Sequence, residues 1–336
     1  MREIPRQRAG EPAPASLTAF IPCFNEEGQV DEVHATIDAE LSGYPGLEIL
    51  FVDDGSTDGT LAKVKALAAR DPRVRYVSFS RNFGLEAAHG AGFRYAGGEW
   101  VVQLDADLQS PPAEAPKLIA KALEGYDVVY GIRRERHDPL FRRLGSAAQQ
   151  RLAQRLFGVD LVYGSSVFRV VRAAVARRAV DLRLATPYFV ATMPLLGARW
   201  ATVDVAHRQR QDGGSRWAVW RLFSHSAELF FGFSLRPLVW LYAAVACAVP
   251  VVIAAGRPGV VAGEVVLLAA VGILAAYVHR LVRGSVRPRL YYVREANVPI
   301  DPGDMLYAAP PAAAVSGRFI EREAASGRLA ETEAAR

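Results

Sequence analysis

The sequence predicts an α/β fold with a mostly parallel sheet, followed by a C-terminal two-helix transmembrane hairpin. Two observations predict the sheet: several β-type runs are almost continuously apolar, and helical stretches separate them. Strands of that composition are buried on both faces, which is typical of parallel sheets covered by helices. A third observation, two long and nearly uncharged stretches near the C-terminus, predicts the hairpin.

The predicted elements alternate along the chain after a flexible N-terminus at residues 1–16. The predicted strands are "LTAFIPCF", "LEILFVDD", "VRYVSFS", "EWVVQLDAD" and "YDVVYGIR", and the helices cover about 27–42, 57–70, 85–96 and 112–123. In the second helix Leu61, Val64, Leu67 and Ala68 fall on one face. We assign residues 17–214 to one cytoplasmic domain.

The hairpin prediction covers residues 236–279. Residues 237–255 carry no charge, and residues 260–278 carry only Glu264. A helix of that length spans about 28 Å, close to one hydrocarbon core. A pair of buried helices in a soluble bundle is the alternative.

Arginines set the expected orientation of the hairpin. The connecting turn carries only Arg257, whereas Arg216, Arg221 and Arg236 precede the helices, and Arg280, Arg283, Arg287 and Arg289 follow them. Positive residues stay on the cytoplasmic side, so the α/β domain and both termini are expected at the cytoplasmic face of the cell membrane. Residues 215–235 are expected to form an amphipathic juxtamembrane helix, or else a helix packed on the domain. The tail, 280–336, is expected to be partly disordered.

Composition excludes several classes of protein. The two cysteines, Cys23 and Cys247, are far apart, so neither a disulfide framework nor a thiolate metal site is expected. The N-terminal residues lack the apolar region of a secretory signal. The net charge of +5 is modest, and we expect no nucleic-acid partner.

Two carboxylates, Asp105 and Asp107, follow the fourth apolar run. Together with Gln109 they recur at every second position and can point the same way. Carboxylate and amide oxygens suit Mg²⁺ or Mn²⁺, which are usually shared with substrate phosphates. The pattern predicts a metal site for a phosphate-bearing substrate, with a solvated loop as the alternative.

The ends of the first two predicted strands are polar as well. Asp53 and Asp54 can accept hydrogen bonds from a base N–H or a ribose hydroxyl. Phe24 offers a face on which a base can stack, and Glu26 offers a further acceptor. A turn followed by a helix cap within "DDGST" is the local interpretation, and it is compatible with ligand binding.

Basic residues cluster in two later segments. "GIRRERHD" includes Arg133 and Arg136, and "HRQRQDGGSRW" includes Arg210, Ser215 and Arg216. Guanidinium groups bind phosphate oxygens well, so these segments are candidates for an anion pocket. The alternative is that the arginines only mark the cytoplasmic side.

Taken in order, these motifs resemble the glycosyltransferase family 2 enzymes that use polyprenyl phosphates. That group includes dolichol-phosphate mannose synthases and bacterial undecaprenyl-phosphate sugar transferases. The matching stretches are "IPCFNEE", "VDDGSTDGT", "SRNFGLEAAHGAGFRYAGGEWVVQLDADLQSPP", "GIRRERHDPLFRR", "HRQRQDGGSRW", the hairpin and "VRPRLYYV", over about residues 16–295.

The resemblance implies a Rossmann-like nucleotide-sugar transferase domain of the GT-A type. It implies that Pro22, Phe24, Glu26, Asp53 and Asp54 hold the nucleotide, that Asp105, Asp107 and Gln109 bind the metal and the diphosphate, that Arg133 and Arg210 act with the two aspartates in catalysis, and that Arg136, Ser215 and Arg216 meet the acceptor phosphate.

Three positions depart from the family pattern. Phe24 replaces the usual Tyr, which removes a hydroxyl and keeps the stacking face. Arg216 stands where Lys is frequent, with a different hydrogen-bond geometry. Val162 replaces an Asp that many relatives carry, which puts the contact of that Asp with the sugar in doubt.

The resemblance and the motifs together predict metal-dependent, inverting transfer of a sugar from a nucleotide sugar to a polyprenyl monophosphate at the membrane, for cell-envelope glycans. We expect a UDP-linked donor, with GDP-mannose as the alternative. A phosphate oxygen is anionic near neutral pH, which explains why no separate acidic doublet for a general base follows. An inactive membrane scaffold is a rival class. A processive polysaccharide synthase is disfavoured because "LGARW" and "GGSRW" lack the Gln of its Q-x-x-R-W signature. The sugar, the lipid length and homo-oligomerisation stay open.

Overall fold

The computed structural model of the protein describes residues 16–133, 165–182, 188–206, 236–255, 257–286 and 289–307. The strands are β1 Leu17–Cys23, β2 Leu47–Asp53, β3 Val74–Phe79, β4 Trp100–Gln103, β5 Val128–Arg133, β6 Ser165–Arg172, β7 Trp200–Val205 and β8 Val293–Ala296. The helices are α1 Val30–Leu41, α2 Thr60–Arg70, α3 Leu85–Tyr95, α4 Ala115–Leu123, α5 Ala173–Asp181, α6 Phe189–Leu195, α7 Arg236–Ala255 and α8 Arg257–Val286.

The strands form one mixed sheet in the order β7-β5-β6-β4-β1-β2-β3-β8. Strand β1 pairs in parallel with β2 and β4, β2 with β3, and β5 with β7. Only β6 and β8 run antiparallel to their neighbours within the described sheet. The predicted α/β fold with a mostly parallel sheet is therefore confirmed.

Two apolar layers hold the helices on the sheet. On one face, Val33, Ile37 and Leu41 of α1 recur at helical spacing and pack with the apolar sides of α2 and α4. On the other face, the small residues of α3 let Phe93 pack against Phe20 of β1 at a ring separation of 5.2 Å. Because both faces are covered, the central strands are apolar throughout, as the sequence indicates.

The predicted helix positions are confirmed, with shifted ends. Val64 and Leu67 of α2 are buried, in agreement with the predicted apolar face. The segment that starts at Pro112 first makes a 3₁₀ turn, Pro112–Glu114, and becomes α4 at Ala115. Proline is well suited to that first turn because its missing N–H would have no partner there.

The two C-terminal helices form where the hairpin was predicted and pack against each other. Helix α8 is longer than expected, since it runs from Arg257 to Val286. We expected both helices to cross a membrane, but no helix in the described parts of the chain is long and apolar enough to do so. The juxtamembrane segment 215–235 lies outside the described residues.

The segment after α8 returns to the sheet, which the sequence analysis did not foresee. Strand β8 pairs antiparallel with β3, and Lys65 of α2 binds Glu295 at 2.6 Å. Asp304 is buried and accepts a hydrogen bond of 2.6 Å from the Tyr95 hydroxyl at the end of α3. Residues 289–307 therefore belong to the α/β domain rather than to a separate tail.

Candidate functional site

The candidate site lies at the carboxyl edge of the sheet. Strands β1 to β4 all run in the same direction, so their carboxyl ends meet at one edge. The loops that follow them, 24–29, 54–59, 80–84 and 104–111, carry the predicted site residues. In open α/β sheets this edge is where ligands bind.

The buried side chains of Asp53 and Asp54 connect the loops after β2 and β3 by hydrogen bonds. Asp53 accepts hydrogen bonds from the Ser78 hydroxyl (2.7 Å) and from the backbone N–H of Ser56 (3.0 Å). Asp54 accepts from the backbone N–H groups of Phe83 (2.7 Å) and Gly84 (2.9 Å). Both aspartates are at most 4% exposed. Their carboxylates thus fix the loops after β2 and β3, and their direct contact with a nucleotide stays a prediction.

Two features of the surroundings of Asp54 shift the pKa of its carboxyl in opposite directions. Burial raises the pKa of the Asp54 carboxyl, because a charge is less stable away from water. The hydrogen bonds from Phe83 and Gly84 lower the pKa, since they stabilise the ionised form, but burial has the larger effect. The two backbone donors therefore offset part of the effect that burial has on the pKa of the Asp54 carboxyl.

The loop after β1 leaves an aromatic face open. Asn25 has a left-handed backbone (φ 55°), and its side chain accepts a hydrogen bond of 2.9 Å from the Thr57 N–H. The Glu26 N–H donates to the Thr60 hydroxyl at 2.9 Å. These contacts hold the loop against the one after β2, while Phe24 stays 42% exposed. Pro22 is buried in β1, where it supports the loop from below.

The close approach of two loops requires a glycine. Gly55 has φ +69°, a conformation that L side chains rarely adopt. A Cβ at this position would overlap the backbone of Arg81 in the loop after β3. The "DDG" motif therefore brings the two loops together in two ways: its carboxylates bind the neighbouring loop, and Gly55 has no side chain that would keep the loops apart.

The loop after β4 presents the acidic pair. Asp107 is exposed and Asp105 is half-buried. Between Asp107 and Gln109, Leu108 has a left-handed backbone (φ 51°), and it is only 6% exposed. Gln109 donates from its side-chain amide to Asp107 Oδ2 at 2.6 Å and from its backbone N–H to Oδ1 at 3.2 Å. The buried leucine thus anchors a tight turn that points Asp107 outward.

The donor chemistry of this loop fits a divalent cation. The two carboxylates supply the hard oxygen ligands that Mg²⁺ and Mn²⁺ prefer. Among the residues that the structure describes, no group of three or more His, Cys, Asp or Glu side chains could hold a metal ion. A cation at Asp105 and Asp107 would therefore need further ligands, and substrate phosphates supply such oxygens.

Sequence reasoning missed a buried polar chain on the α3 face of the sheet. Arg169 of β6 donates from Nε to Gln103 Oε1 at 2.7 Å, and Gln103 Nε2 lies 2.7 Å from His89 Nε2. All three side chains are at most 1% exposed. The available signal was a charged residue inside the apolar run "VFRVV".

The arginine and serine side chains predicted to bind phosphate lie outside the described parts of the chain. Arg133 ends β5, opposite Val205 of β7, and its side chain lies outside the described part of the chain. Arg136, Arg210, Ser215 and Arg216 fall on residues that the structure does not describe, as does Val162. Their assignment to the diphosphate or the acceptor phosphate remains a prediction.

Comparison with known proteins gives a consistent family. The family model described as Glycosyl transferase family 2 matches residues 18–182. Two relatives are named undecaprenyl-phosphate 4-deoxy-4-formamido-L-arabinose transferase. The one from Shewanella sediminis (strain HAW-EB3) is 33% identical over 224 residues, which cover 66% of this chain and 68% of the relative. The one from Salmonella choleraesuis (strain SC-B67) is 35% identical over 228 residues, with the same coverage of 66% and 68%.

Solved structures show a weaker likeness. The mannosyltransferase PcManGT from Pyrobaculum calidifontis, in complex with GDP-Man and Mn²⁺, is 18% identical, with 82% of this chain and 87% of that chain covered and a TM-score of 0.44. A glucosyl-3-phosphoglycerate synthase from Mycobacterium tuberculosis, in complex with phosphoglyceric acid, is 21% identical, with 66% and 80% covered and a TM-score of 0.48.

Proposed function

This chain belongs to glycosyltransferase family 2 and is a glycosyltransferase, and we propose that it moves a sugar from a UDP-linked donor to a polyprenyl monophosphate. The observation that carries the proposal is the carboxyl edge of the sheet, where the open aromatic face of Phe24 and an acidic pair, with Asp107 exposed and Asp105 half-buried, follow neighbouring strands. An aromatic face suits a base, and an acidic pair with a cation suits a diphosphate. The acceptor class is supported by the two relatives, which are named for undecaprenyl phosphate.

The donor would lie across the loops at this edge. Phe24 would stack on the base, and the half-buried Glu26 would accept from the nucleotide. Asp53 and Asp54 would act mainly by fixing the loops that surround the base, because their carboxylate oxygens already hold internal donors. A rigid, preformed pocket spends less binding energy on ordering the protein.

Asp105 and Asp107 would hold Mg²⁺ or Mn²⁺, with Gln109 beside them. When bound, the ion would supply positive charge that stabilises the leaving diphosphate. The exposed Asp107 carboxylate would be open to such an ion, and Gln109 orients this carboxylate by two hydrogen bonds. We further propose that Arg133 and Arg210 act at the diphosphate and that Arg136, Ser215 and Arg216 act at the acceptor phosphate.

The transfer itself needs no protein base. An oxygen of the acceptor phosphate attacks the anomeric carbon, the new C–O bond forms, and the bond from that carbon to the diphosphate oxygen breaks with inversion. The attacking oxygen is anionic near neutral pH, so no proton has to be removed. The protein's contribution is to orient both substrates and to stabilise the charge that develops.

Helices α7 and α8 are proposed to attach the enzyme to the cytoplasmic face of the membrane. They expose large apolar side chains, among them Trp240 (55%), Leu268 (72%) and Leu281 (72%). Exposed apolar surface of this extent marks a protein or membrane contact. Attachment would keep the active site near the lipid head group. Flotation of the full chain with anionic lipid vesicles tests this, and recovery of the protein in the unbound fraction would contradict it.

The function is tested with the purified full chain, Mn²⁺, undecaprenyl phosphate and a panel of UDP-linked and GDP-linked sugars. Lipid-linked product detected by mass with a UDP-linked sugar supports the proposal, and product with GDP-mannose alone would replace the donor. Nucleotide binding without product from any donor would favour an inactive scaffold. Full activity after Asp107→Ala would refute the metal assignment.

A further inference from the structure

A positively charged side chain lies fully buried behind the candidate site. Arg169 has 0% exposure, and its Cα is paired with that of Gln103, the last residue of β4. Its Nε donates to the Gln103 side chain at 2.7 Å, and Gln103 in turn lies 2.7 Å from His89 of α3. The guanidinium is thus tied to the strand that leads directly into the acidic loop.

The surroundings of Arg169 do not explain its presence as a stabilising feature. Its guanidinium carbon lies 5.3 Å from the centre of the Phe93 ring, and Nη1 has no hydrogen-bond partner among the described residues. Burial lowers the pKa of the Arg169 guanidinium, because the charge is removed from water. Apolar residues of similar volume often fill such a position with no loss of stability. A buried guanidinium whose Nη1 has no partner among the described residues is therefore a candidate for a role at the site.

Four side chains act electrostatically on Arg169, and the acidic ones among them are Glu86 and Asp105. Tyr130, Glu86, Tyr188 and, least of the four, Asp105 favour the protonated guanidinium and raise its pKa, but burial has the larger effect. Glu86 already accepts from the Phe189 N–H at 3.4 Å and lies 3.6 Å from His89. Asp105 is only two residues beyond Gln103 and begins the predicted metal motif. The acidic loop therefore begins directly after the strand end that Arg169 holds through Gln103.

We propose that Arg169 is a positioning residue for sugar transfer. Through its hydrogen bond to Gln103, the buried guanidinium fixes the end of β4, and with it the loop in which Asp105 receives the metal ion and the donor diphosphate. The inference rests on the proposed function, because Asp105 is assigned to the metal there. Two carboxylates separated by one residue repel each other, and a strand end that is held in place opposes the displacement of the first one.

Removal of the Arg169 guanidinium should change metal affinity in opposite directions, depending on whether the group orients Asp105 or is merely close to the metal site. A positive charge repels a cation, so a guanidinium that is merely nearby would weaken metal binding, and its removal would tighten it. A guanidinium that orients Asp105 would strengthen metal binding, and its removal would weaken it. Partners that orient metal ligands typically contribute about 10–100-fold to metal affinity or activity.

The test compares the full-length wild type with Arg169→Met, Arg169→Lys and the control Arg172→Met. Arg172 lies on the same strand, but its side chain is 37% exposed and pairs with Glu99 at 3.4 Å. Binding of Mn²⁺ in the presence of UDP is measured by electron paramagnetic resonance, together with kcat and KM for the donor. We expect Arg169→Met to weaken Mn²⁺ binding and lower kcat/KM by about 10–100-fold. Arg169→Lys should restore part of both, and Arg172→Met should match the wild type.

The outcomes separate this inference from the function on which it rests. If the wild type binds no Mn²⁺ with UDP and makes no lipid-linked sugar, the proposed function fails. If the wild type binds and Arg169→Met binds Mn²⁺ equally or more tightly, the positioning role is overturned. Should Arg169→Met not fold, Arg169→Gln, which also removes the charge, is judged by the same criterion.

Discussion

Substitution of Gly55 by Ala tests whether the contact between the loops after β2 and β3 builds the donor site. Gly55 has φ +69°, and a left-handed backbone costs a residue with a side chain about 1–2 kcal/mol. The added Cβ would also overlap the backbone of Arg81, which cannot yield as a flexible side chain would. The loop after β3 must therefore move away from Asp54.

The magnitude follows from the contacts that this movement disturbs. The N–H groups of Phe83 and Gly84 lie 2.7 and 2.9 Å from the Asp54 carboxylate. Loss of one hydrogen bond to a charged group costs about 1.5–3 kcal/mol. Added to the backbone strain, the expected loss in the free energy of unfolding is about 2.5–5 kcal/mol.

Gly197→Ala is the matched control. Gly197 has φ +73°, close to that of Gly55, but a Cβ there would meet no atom within 4 Å. Urea unfolding should show a loss of only about 1–2 kcal/mol in the control, and its KM for the nucleotide sugar should not change. Gly55→Ala should lose more stability and raise that KM. Equal losses in both variants, with an unchanged KM in each, would refute the proposed role of the loop contact.

Three further perturbations have definite expected results. Asp107→Asn should lower kcat/KM by more than the roughly 10–100-fold expected of a residue that only orients a ligand, and should weaken Mn²⁺ binding in a titration with UDP; wild-type values would exclude a role in metal binding. Phe24→Ala should weaken UDP binding by calorimetry, since base stacking contributes about 1–3 kcal/mol, whereas Phe24→Tyr should bind like the wild type; equal binding by the alanine variant would exclude stacking. Hydrogen bonds from Arg73 hold the pKa of Asp71 below its ordinary value, so its contribution to stability is present above pH about 4 and is lost as pH falls. Asp71→Asn should flatten this acid limb in urea unfolding, and an unchanged limb would contradict the assignment.

The sequence predicted those parts of the fold that depend on local pattern. Apolar runs with polar ends placed β1 to β5, and the direction of parallel strands brought Asp53 and Asp105 to one edge. Where a helix begins was harder to predict, because a 3₁₀ turn precedes α4 at Pro112–Glu114. Periodicity also predicted that Gln109 could face the same way as the aspartates. Its side-chain amide does reach Asp107, to which it donates a hydrogen bond, and its role as a metal ligand stays a prediction.

Features that depend on distant pairing could not be predicted. Strand β8 is only four residues long, and near it Asn297 accepts a hydrogen bond from Tyr76, 221 positions away. Arg169 comes beside Gln103 only through the pairing of β4 with β6, which no short stretch of sequence encodes. The apolar content of α7 and α8 correctly predicted the two helices. It also predicted that they cross a membrane, but no helix in the described parts of the chain is long and apolar enough to do so.

The pairing of β8 with β3 has a consequence for biosynthesis. A strand without a neighbour presents unpaired N–H and C=O groups that can recruit another chain. Residues 293–296 leave the ribosome after α7 and α8, so the outer side of β3 stays open while both helices are being made. The sheet is completed only once the chain has passed through its most apolar region. A chain that stopped after α8 would keep this open edge and be prone to aggregate.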